Sequence, residues 1–480
     1  MIDARQTDRA VGAIVGMAAG DALGAGYEFL EPLDDDAAVF MKGGGGFGWA
    51  PGEWTDDTSM AVPILDVLAA GRRLDESALD DIVAGWVGWA RTAKDVGVQT
   101  RQVFGRMLGT TATEARASAL AVHTATGRSA GNGSLMRTAP VALGYLDDPA
   151  GLAVAARAVS DLTHYEQDAG DACVIWCLAI RHAILTGELD VRVGIRSLPE
   201  DRGERWLALI AEAEEKRPRD FDRNGWVVQA LQGAWSAIHH SRDFVGALEG
   251  AVRGGRDTDT VAAIAGGLIG AATGVSGIPG RWRRVLHGWP GLDSRDLMAR
   301  AVLAARGGAP DKAGWPTADH FAPSEVDVLV QHPHDDGVWM GSLAALRRLP
   351  AEVGAVVSLC RVGRRETGRG TGLEPGHETE LETIEFWLID QPGANANARF
   401  VLEDAADTIA ALRAEGRTVF VHCFEGRSRT PAVAATYSIR HREVPAQRAL
   451  DEVLAVLPGN HLNAEFREIV SRGIRPSVQQ

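Results

Sequence analysis

The sequence has few cysteines and no long uncharged apolar run. Its four cysteines are too few for a disulfide framework, so we expect a reduced, cytoplasmic protein. No run of 18 uncharged apolar residues occurs, which argues against a membrane span, and the N-terminus lacks a signal-peptide pattern. Excess positive charge is also missing. The formal net charge of −15 argues against binding to nucleic acids or to anionic membranes.

The length of the chain and the change in its secondary-structure pattern predict two domains of different fold class. A chain of 480 residues with 45% apolar and 24% charged residues is typical of a multi-domain globular protein. Residues 1–290 show helical periodicity and almost no strand signals, which predicts an all-α domain. Residues 291–320 are interpreted as the end of that domain plus a linker. Within 321–475, β-like runs at 326–330, 353–359, 383–389 and 418–422 alternate with helical segments, which predicts an α/β domain.

Two acidic clusters in the first domain each precede an apolar helical run. The first runs from Thr55 to Thr58 and the second from Asp257 to Thr260. Carboxylate and hydroxyl oxygens together are the ligands that Mg²⁺ or Mn²⁺ prefers. The alternative is helix capping, for which the same residue types are favoured. A cap needs one such residue, whereas each cluster supplies four.

Three further features of the first domain could carry function. Asp21 lies in an apolar run, where a buried carboxylate needs a partner, and Glu28 follows soon after. Residues 29–54 form a long loop with glycines at 43–46, which we interpret as a lid. Residues 131–134, Gly-Asn-Gly-Ser, offer backbone N–H groups that suit a pyrophosphate or a ribose, although an ordinary turn is the alternative.

These motifs together resemble the ADP-ribosylglycohydrolase family, which includes the dinitrogenase reductase-activating glycohydrolase. The matching segments follow the family's order and are Gly20–Gly24 with Glu28, Trp54–Thr58, Gly131–Arg137, Thr163–His164 and Asp257–Thr260. The resemblance implies an all-α fold and a pair of Mg²⁺ or Mn²⁺ ions. The implied metal ligands are Thr55, Asp56, Asp57, Asp257, Asp259 and Thr260.

The resemblance also implies the roles of other residues. Glu28 is expected on or near the metals and the lid, and either Asp56 or Asp57 is the expected general acid or base. The implied ADP-ribose site consists of Gly131, Asn132, Gly133, Ser134, Met136 and His164. The substrate is expected to be an ADP-ribosylated protein or an ADP-ribose derivative. Arginine, serine, acetate and a second ADP-ribose all stay open as the leaving group.

The second domain contains a cysteine followed by a phosphate-binding type of loop. A predicted strand leads into Cys423, the loop contains Gly426, and a helix follows Thr430. Loop N–H groups and a helix N-terminus favour a thiolate and can bind a phosphate. Arg429 can hold two phosphate oxygens, and Cys423 could attack phosphorus. The alternative is a buried cysteine at the end of a strand.

This pattern resembles the signature of cysteine-dependent phosphatases, Cys-x5-Arg followed by Ser or Thr, and the layout of 321–475 is similar to dual-specificity phosphatases. The resemblance implies that Asp390 is the general acid and that Thr430 assists departure of the thiolate. The loop residues expected to bind the phosphate are Glu425, Gly426, Arg427 and Ser428. Glu425 departs from the small residue common in the family, which disfavours highly anionic substrates. The expected partner is a phosphorylated protein or small molecule, with no cofactor in this domain.

The sequence therefore predicts a bifunctional hydrolase. The first domain would remove ADP-ribose with the help of divalent metal, and the second would hydrolyse phosphomonoesters. The alternative is that one domain binds ADP-ribose or phosphate without turnover and directs the other.

Overall fold

The computed structural model describes residues 2–321, 325–366 and 381–475. The chain forms two compact units, the first made of Met1–Ile278 and Val285–Ala309 and the second of Pro279–Arg284 and Pro310–Gln480. Part of the predicted linker, Ser294–Ala305, is a helix of the first unit. Residues 322–324 and 367–380 of the predicted second domain lie outside the described residues.

The first unit is helical, as the sequence predicts. Its helices are α1 (Ala4–Gly24), α2 (Asp56–Ala69), α3 (Glu76–Ala90), α4 (Val98–Phe104), α5 (Ala112–Thr126), α6 (Ala139–Leu143), α7 (Pro149–Asp161), α8 (Gln167–Thr186), α9 (Glu200–Glu215), α10 (Val227–His239), α11 (Phe244–Arg253) and α12 (Thr258–Thr273). Helix α13 (Gly280–Val285) spans the division between the units, and α14 (Ser294–Ala305) follows it. Among the described residues of this unit, the strands are the short antiparallel pair β1 (His287–Gly288) and β2 (Leu292–Asp293).

Helices α1 and α12 pack backbone to backbone at the centre of the first unit. Glycines recur every fourth residue along α1, and two of them show why. A Cβ added to Gly16 would lie 2.4 Å from the carbonyl oxygen of Gly266, and one added to Gly20 would lie 2.0 Å from that of Ala262. Only glycine permits this approach. The close packing brings the C-terminal end of α1, with Asp21, against the N-terminal end of α12.

Helix α8 is long and apolar enough to cross a membrane by length and composition alone. It is the one such helix in the part of the chain that the structure describes, and 78% of its apolar window is buried within the protein. Asp168 and Asp171 in its first turns pair with Arg202. A buried core helix satisfies the same length and composition criteria, and its burial supports that interpretation.

The second unit contains a five-stranded sheet with helices. The strands are β3 (Leu329–His332), β4 (Asp335–Ser342), β5 (Val353–Ser358), β6 (Glu382–Glu385) and β7 (Thr418–Cys423), and the helices are α15 (Ala398–Ala414), α16 (Arg429–His441), α17 (Ala446–Val456) and α18 (Ala464–Arg472). The strand order is β3-β4-β7-β5-β6, with β3 antiparallel to β4 and the other neighbours parallel. This is the mixed α/β class predicted from the sequence.

Strand β7 is the centre of this sheet. Its last residue, Cys423, is in register with Ser342 of β4, and His422 is in register with Ser358 of β5. Val419 and Val421 point into the core that the helices cover, while Phe420 packs in a smaller cluster on the opposite face. The central strand thus delivers Cys423 to the carboxyl edge of the sheet, where sites of α/β folds are usually found.

One strand of the second unit is not predicted from the sequence. Asp335, Asp336, Gly337 and Gly341 weaken the strand pattern of β4, and pairing with β3 and β7 decides its structure instead. The helical segment between β4 and β5 is the 3-10 helix Leu343–Arg348. The missed strand does not change the fold class.

Candidate active sites

Three buried carboxylates converge in the first unit. Asp21 from α1, Asp57 from α2 and Asp259 from α12 each place one oxygen within 4.8 Å of the others. All three side chains are buried. The close approach of α1 and α12 and the start of α2 account for this arrangement. The two acidic clusters, about 200 residues apart in the sequence, therefore meet at one point.

Asp21 is held by the first turn of α2. Its Oδ1 accepts a hydrogen bond from the backbone N–H of Thr55 at 2.8 Å. Its Oδ2 accepts from the N–H of Thr58 at 2.9 Å and from the Thr58 hydroxyl at 2.6 Å. The partner that a buried carboxylate requires is thus supplied by the neighbouring acidic cluster. The sequence raised the need for a partner but did not place Asp21 in the metal site.

Asp57 keeps one oxygen without a partner. The Thr55 hydroxyl lies 3.0 Å from Asp57 Oδ2 and 3.3 Å from Asp259 Oδ2, and its single proton can serve one of them at a time. Asp57 Oδ1 is buried and has no hydrogen-bond partner among the described residues. A buried, unpaired carboxylate oxygen is costly unless a cation or a donor meets it. The donor set therefore fits a hard divalent cation.

Asp257 is positioned by two asparagines. Asn132 Nδ2 donates to Asp257 Oδ2 at 2.8 Å, and the Asn224 side chain accepts from the Asp257 N–H at 3.3 Å and donates to the Gly255 carbonyl at 3.0 Å. The predicted nucleotide turn and the second acidic cluster are thus in direct contact. Asn224 was not singled out from the sequence, because a lone asparagine after a polar segment carries no distinguishing pattern. Of the other predicted ligands, Thr260 lies in the first turn of α12, and its N–H donates to Asp259 Oδ1 at 2.9 Å.

The pKa values of these carboxyl groups are raised, so a cation would stabilise their ionised forms. Burial raises the pKa of Asp57 and of Asp259 well above the usual range, and neighbouring carboxylates add to the effect. Burial, followed by repulsion from Asp257 and Asp56, raises the pKa of Glu28 to about 9. Burial and repulsion from Asp95 raise the pKa of Asp56 to about 8. Divalent cations would favour the ionised carboxylates and reverse these shifts.

A cavity of about 290 Å³ opens beside Asp56. Its wall includes the four tryptophans Trp49, Trp54, Trp89 and Trp289 and the acids Glu53, Asp56 and Asp95. Lys94 also lines the cavity, but its ammonium pairs with Glu53 at 2.6 Å. Aromatic faces and carboxylates together are suited to a planar cation. Asp56 lies at this cavity, whereas Asp57 lies within the buried carboxylate group.

The predicted ADP-ribose residues lie together, with differing exposure. Residues Asn132–Ser134 form a 3-10 turn, and a Cβ on Gly131 or Gly133 would lie 3.3 Å from the His164 ring. The His164 ring is buried, and burial lowers its pKa well below the usual value, so the ring is neutral. Ser134 is also fully buried and accepts a hydrogen bond from Cys173 Sγ at 3.6 Å. Met136 is 4% exposed, so Gly131, Asn132 and Gly133 are the members closest to solvent.

The segment 29–54 precedes the first acidic cluster and forms backbone hydrogen bonds with Arg256, which lies next to the second. Phe29, with φ +67°, donates its N–H to the Arg256 carbonyl at 2.6 Å, and the Arg256 N–H donates to Leu30 at 2.7 Å. Residues 44 and 49 pair across the glycine-rich part. The side chains of Phe29 and Phe40 are exposed. The segment has the position expected for a lid, although its mobility stays a prediction.

In the second unit, Cys423 ends β7 and Arg429 begins α16, so residues 424–428 form the predicted loop. The Gly426 N–H donates to Cys423 Sγ at 3.3 Å. Gly426 has φ +75°, and a Cβ there would lie 2.8 Å from the Gly341 carbonyl oxygen. Glycine is therefore required at this position. The Thr430 hydroxyl donates to the same carbonyl at 3.2 Å, which holds it beside the loop.

Asp390 lies against the loop, as its predicted role requires. Its Oδ1 accepts a hydrogen bond from the Ser428 hydroxyl at 2.6 Å, and its Oδ2 lies 4.0 Å from Arg429 Nε. Asn463 donates its N–H to Ser428 Oγ at 3.1 Å. The sequence gave no reason to single out Asn463, which comes from the turn before α18. The loop thus brings together the predicted nucleophile, acid and phosphate-binding arginine.

Arg429 has donors available for a ligand. Its Nη1 donates to the carbonyls of Leu388 at 3.0 Å and Leu359 at 3.3 Å. Its Nε is buried and has no hydrogen-bond partner among the described residues. Nearby, Glu425 and Arg427 pair with each other at 3.3 Å, and both side chains are half-exposed. Arg427 therefore offsets part of the negative charge of Glu425.

Two other titratable groups beside the loop are structural. Burial lowers the pKa of His422 to about 4, so the ring is neutral. Burial raises the pKa of Cys360 to about 12, which leaves that thiol protonated and unreactive.

Comparisons with known proteins support the family resemblance of each part of the chain. Residues 2–312 match the family model of ADP-ribosylglycohydrolase, and residues 374–472 match that of the dual specificity phosphatase catalytic domain. The ADP-ribosylarginine hydrolase Tri1 of Pseudomonas putida (strain GB-1) is 32% identical over 283 residues, covering 57% of this chain and 73% of the relative. The ADP-ribosyl-[dinitrogen reductase] glycohydrolase of Rhodospirillum rubrum is 31% identical, covering 57% and 89%.

A solved structure described as an ADP-ribosylglycohydrolase-related protein complex has a TM-score of 0.51 and 30% identity. The match covers 63% of this chain and 99% of that chain. Both resemblances noted from the motifs are thus confirmed, each by a family model over its own part of the chain. The chain belongs to the ADP-ribosylglycohydrolase family, and its C-terminal part resembles the dual-specificity phosphatases.

Proposed function

We propose that the first unit hydrolyses the bond between ADP-ribose and an arginine side chain with the help of two divalent cations, Mg²⁺ or Mn²⁺. Two observations carry this proposal: the meeting of Asp21, Asp57 and Asp259, and the buried Oδ1 of Asp57 that has no hydrogen-bond partner among the described residues. Asp57 and Asp259 would hold the cations, together with Thr55, Asp56, Asp257 and Thr260. The bound cations would supply Lewis acidity for a water and for the ribose hydroxyls.

Asp21 has a positioning role in this proposal. Both of its oxygens already accept hydrogen bonds from Thr55 or Thr58. It would orient the first turn of α2, and with it the ligands Thr55 and Asp57. Loss of a residue that supports a metal ligand typically lowers metal affinity about 10–100-fold.

Arginine is supported as the leaving group by two observations. The Pseudomonas putida relative is named an ADP-ribosylarginine hydrolase. The cavity beside Asp56 also combines tryptophan faces with the carboxylates of Asp56 and Asp95, which suits a planar guanidinium.

Asp56 is the proposed general base and acid, because it lines the cavity and directly precedes Asp57 of the carboxylate group. The bond between the anomeric carbon and the guanidino nitrogen breaks while the oxygen of a water bonds to that carbon. Asp56 takes a proton from this water and passes it to the departing nitrogen. Nearby carboxylates stabilise the positive charge that develops on the sugar ring.

The second unit is proposed to hydrolyse phosphomonoesters. The Cys423 thiolate attacks phosphorus, Asp390 gives its proton to the leaving oxygen, and a water then breaks the sulfur–phosphorus bond. The buried Nε of Arg429 has no hydrogen-bond partner among the described residues, which supports a phosphate ligand here, since an oxyanion would accept its hydrogen bond. The sharing of one chain suggests that the phosphatase substrate is tied to ADP-ribose metabolism or to the same modified target, in a cytoplasmic setting.

The test uses the full chain and its variant Cys423→Ser, which separates the two activities. Both proteins are incubated with arginine-linked and with serine-linked ADP-ribosylated proteins, in Mg²⁺ and in excess chelator. We expect release of ADP-ribose from arginine only, in Mg²⁺ only, and at equal rates for the two proteins. Full activity in chelator contradicts the metal requirement, and release from serine at the same rate contradicts the arginine assignment.

A further inference from the structure

The first unit contains a second cavity, of about 470 Å³, that is lined by arginines. It lies between the 3-10 turn Pro218–Asp220, the C-terminal part of α10 and the exposed side of α11. Its charged and titratable lining residues are Arg217, Arg219, Arg253, His240 and Asp35. None of these residues belongs to the carboxylate group or to the cavity beside Asp56.

The cavity is open because the helices around it present very small residues. Helix α11 contributes Gly246 and Gly250, one turn apart, and α10 contributes Ala237. A Cβ on Gly250 would have its nearest neighbour 4.0 Å away, at Ala237. The space above these residues is therefore not filled by side chains of the helices.

The charge around this space is positive in a chain that is strongly acidic. Three of the lining residues are arginines, against one carboxylate, although the whole chain carries a formal charge of −15. Arg253 is paired with Glu249 at 2.9 Å. Arg219 pairs with Asp35, whose side chain is 92% exposed, so solvent screens that pair strongly. Arg217 makes no ion pair with any residue in 2–321, 325–366 or 381–475.

We propose that this cavity binds a small phosphate-bearing ligand. Guanidinium groups hold phosphate oxygens in pairs, and arginines from two elements around one space can bind more than one face of the group. The volume lies in the range of roughly 300–1,000 Å³ that is usual for small-molecule sites. A phosphate would replace Asp35 as the acceptor of Arg219 and would supply an acceptor for Arg217.

The cavity is connected to the segment predicted as a lid. Arg253 donates from Nε and Nη2 to the Ala37 carbonyl at 3.1 and 3.0 Å, and its own carbonyl accepts from the Leu33 N–H at 3.0 Å. Arg219 donates to the Leu33 carbonyl at 3.4 Å. Residues 33–37 are therefore fastened by the same arginines that line the cavity. A bound phosphate ligand would change the order of this part of the lid.

Hydrogen–deuterium exchange on the full chain tests the proposal, with pyrophosphate as the probe and chelator present to remove divalent cations. Exchange is read in peptides covering residues 31–37, 216–220 and 244–254, so that anion binding at Cys423 is not counted. A sodium chloride sample of equal ionic strength is the reference. We expect saturable protection of residues 216–220 and 244–254 by pyrophosphate at a fixed ionic strength, together with a saturable change in the exchange of residues 31–37.

Three variants sharpen the test. Arg217→Glu should weaken the pyrophosphate dependence at least tenfold. Arg242→Glu makes the same charge change on a neighbouring exposed residue outside the cavity, and it should leave the dependence within twofold. Gly250→Leu fills the space without changing charge and should abolish protection. The proposal is overturned if pyrophosphate gives no more protection than salt, or if Arg217→Glu and Gly250→Leu both behave like the wild type.

Discussion

The hydroxyl of Thr58 donates to Asp21 Oδ2 at 2.6 Å and ties the start of α2 to the end of α1. Thr58→Val keeps the shape of the side chain but removes this donor. Because Asp21 fixes the turn that carries Thr55 and Asp57, we expect metal affinity to fall roughly 10–100-fold, as for other residues that support a metal ligand. Isothermal titration with Mn²⁺ measures the change.

Thr124→Val is the matched control, since the Thr124 hydroxyl bonds to Leu120 on the exposed side of α5. It should leave Mn²⁺ binding unaltered. Equal affinities for the Thr58 variant and the wild type would show that Asp21 does not position the site.

The metal-free protein should lose stability as the pH rises. Burial and mutual repulsion raise the pKa of Glu28 to about 9 and that of Asp56 to about 8, and they raise that of Asp259 as well. These three carboxyl groups therefore hold more protons in the folded chain than in the unfolded chain from about pH 4 upward. Their contribution to the free energy of unfolding falls through this range up to about pH 9. The buried neutral rings of His164 and His422 oppose this trend only below about pH 6.5.

Thermal unfolding in chelator, followed from pH 5 to pH 9, checks this expectation. Glu28→Gln should reduce the slope of the melting temperature against pH, and saturating Mn²⁺ should flatten it. A melting temperature in chelator that rises steadily over this range would contradict the sign.

Gly20→Ala should destabilise the first unit, because its Cβ would lie 2.0 Å from the Ala262 carbonyl oxygen. Overpacking of this kind typically costs about 1–3 kcal/mol. Glycohydrolase activity should fall as well, since α1 must move away from α12. Gly88→Ala in α3 is the control, with no atom within 4 Å of the added Cβ, and replacing an exposed helical glycine should stabilise the protein slightly. Chemical denaturation of the two variants compares them directly.

Asp390→Asn should lower kcat of the phosphatase reaction about 10²–10⁴-fold with little change in KM, because the carboxyl acts on the leaving group in the transition state. Cys423→Ser should remove turnover entirely. Steady-state kinetics with phosphotyrosine peptides measures both, and glycohydrolase activity of the same samples shows that the chain is folded. An Asp390→Asn enzyme with unchanged kcat would assign the proton donor elsewhere.

The segment 29–54 should become more ordered when substrate binds. Hydrogen exchange in this segment is expected to slow in ADP-ribose with Mg²⁺, compared with Mg²⁺ alone. The peptide covering α8 serves as an internal control, because it lies in the core. Unaltered exchange at saturating ligand would remove the lid interpretation.

The sequence predicted the composition of both sites better than their geometry. Thr55–Thr58 and Asp257–Thr260 were identified because several oxygen donors are adjacent in each. Asn224 and Asn463 were missed, since their contacts with Asp257 and with Ser428 exist only in the folded chain. Similarly, strand β4 follows from pairing with β3 and β7 rather than from its own residues. A sequence pattern can reveal a site whose ligands are adjacent in the chain, whereas contacts between distant segments depend on how the chain packs.

The small residues of α1 favour close packing against another helix, but they do not show which helix packs there. The match of Gly16 to Gly266, on a helix about 250 residues later, is visible only in the structure. This contact sets the end of α1, with Asp21, against the start of α12, where the second acidic cluster lies.

The central position of β7 affects the order in which denaturation displaces the residues of the phosphatase site. Cys423 is attached to a strand paired on both sides, whereas the Asp390 side chain is held through Ser428 and Asn463. Mild denaturation should therefore release the acid before it disturbs the nucleophile. A partly opened enzyme would still cleave aryl phosphates whose leaving group needs no proton, while it would already have lost alkyl phosphates. The ratio of these two rates would then report local opening well before the sheet unfolds.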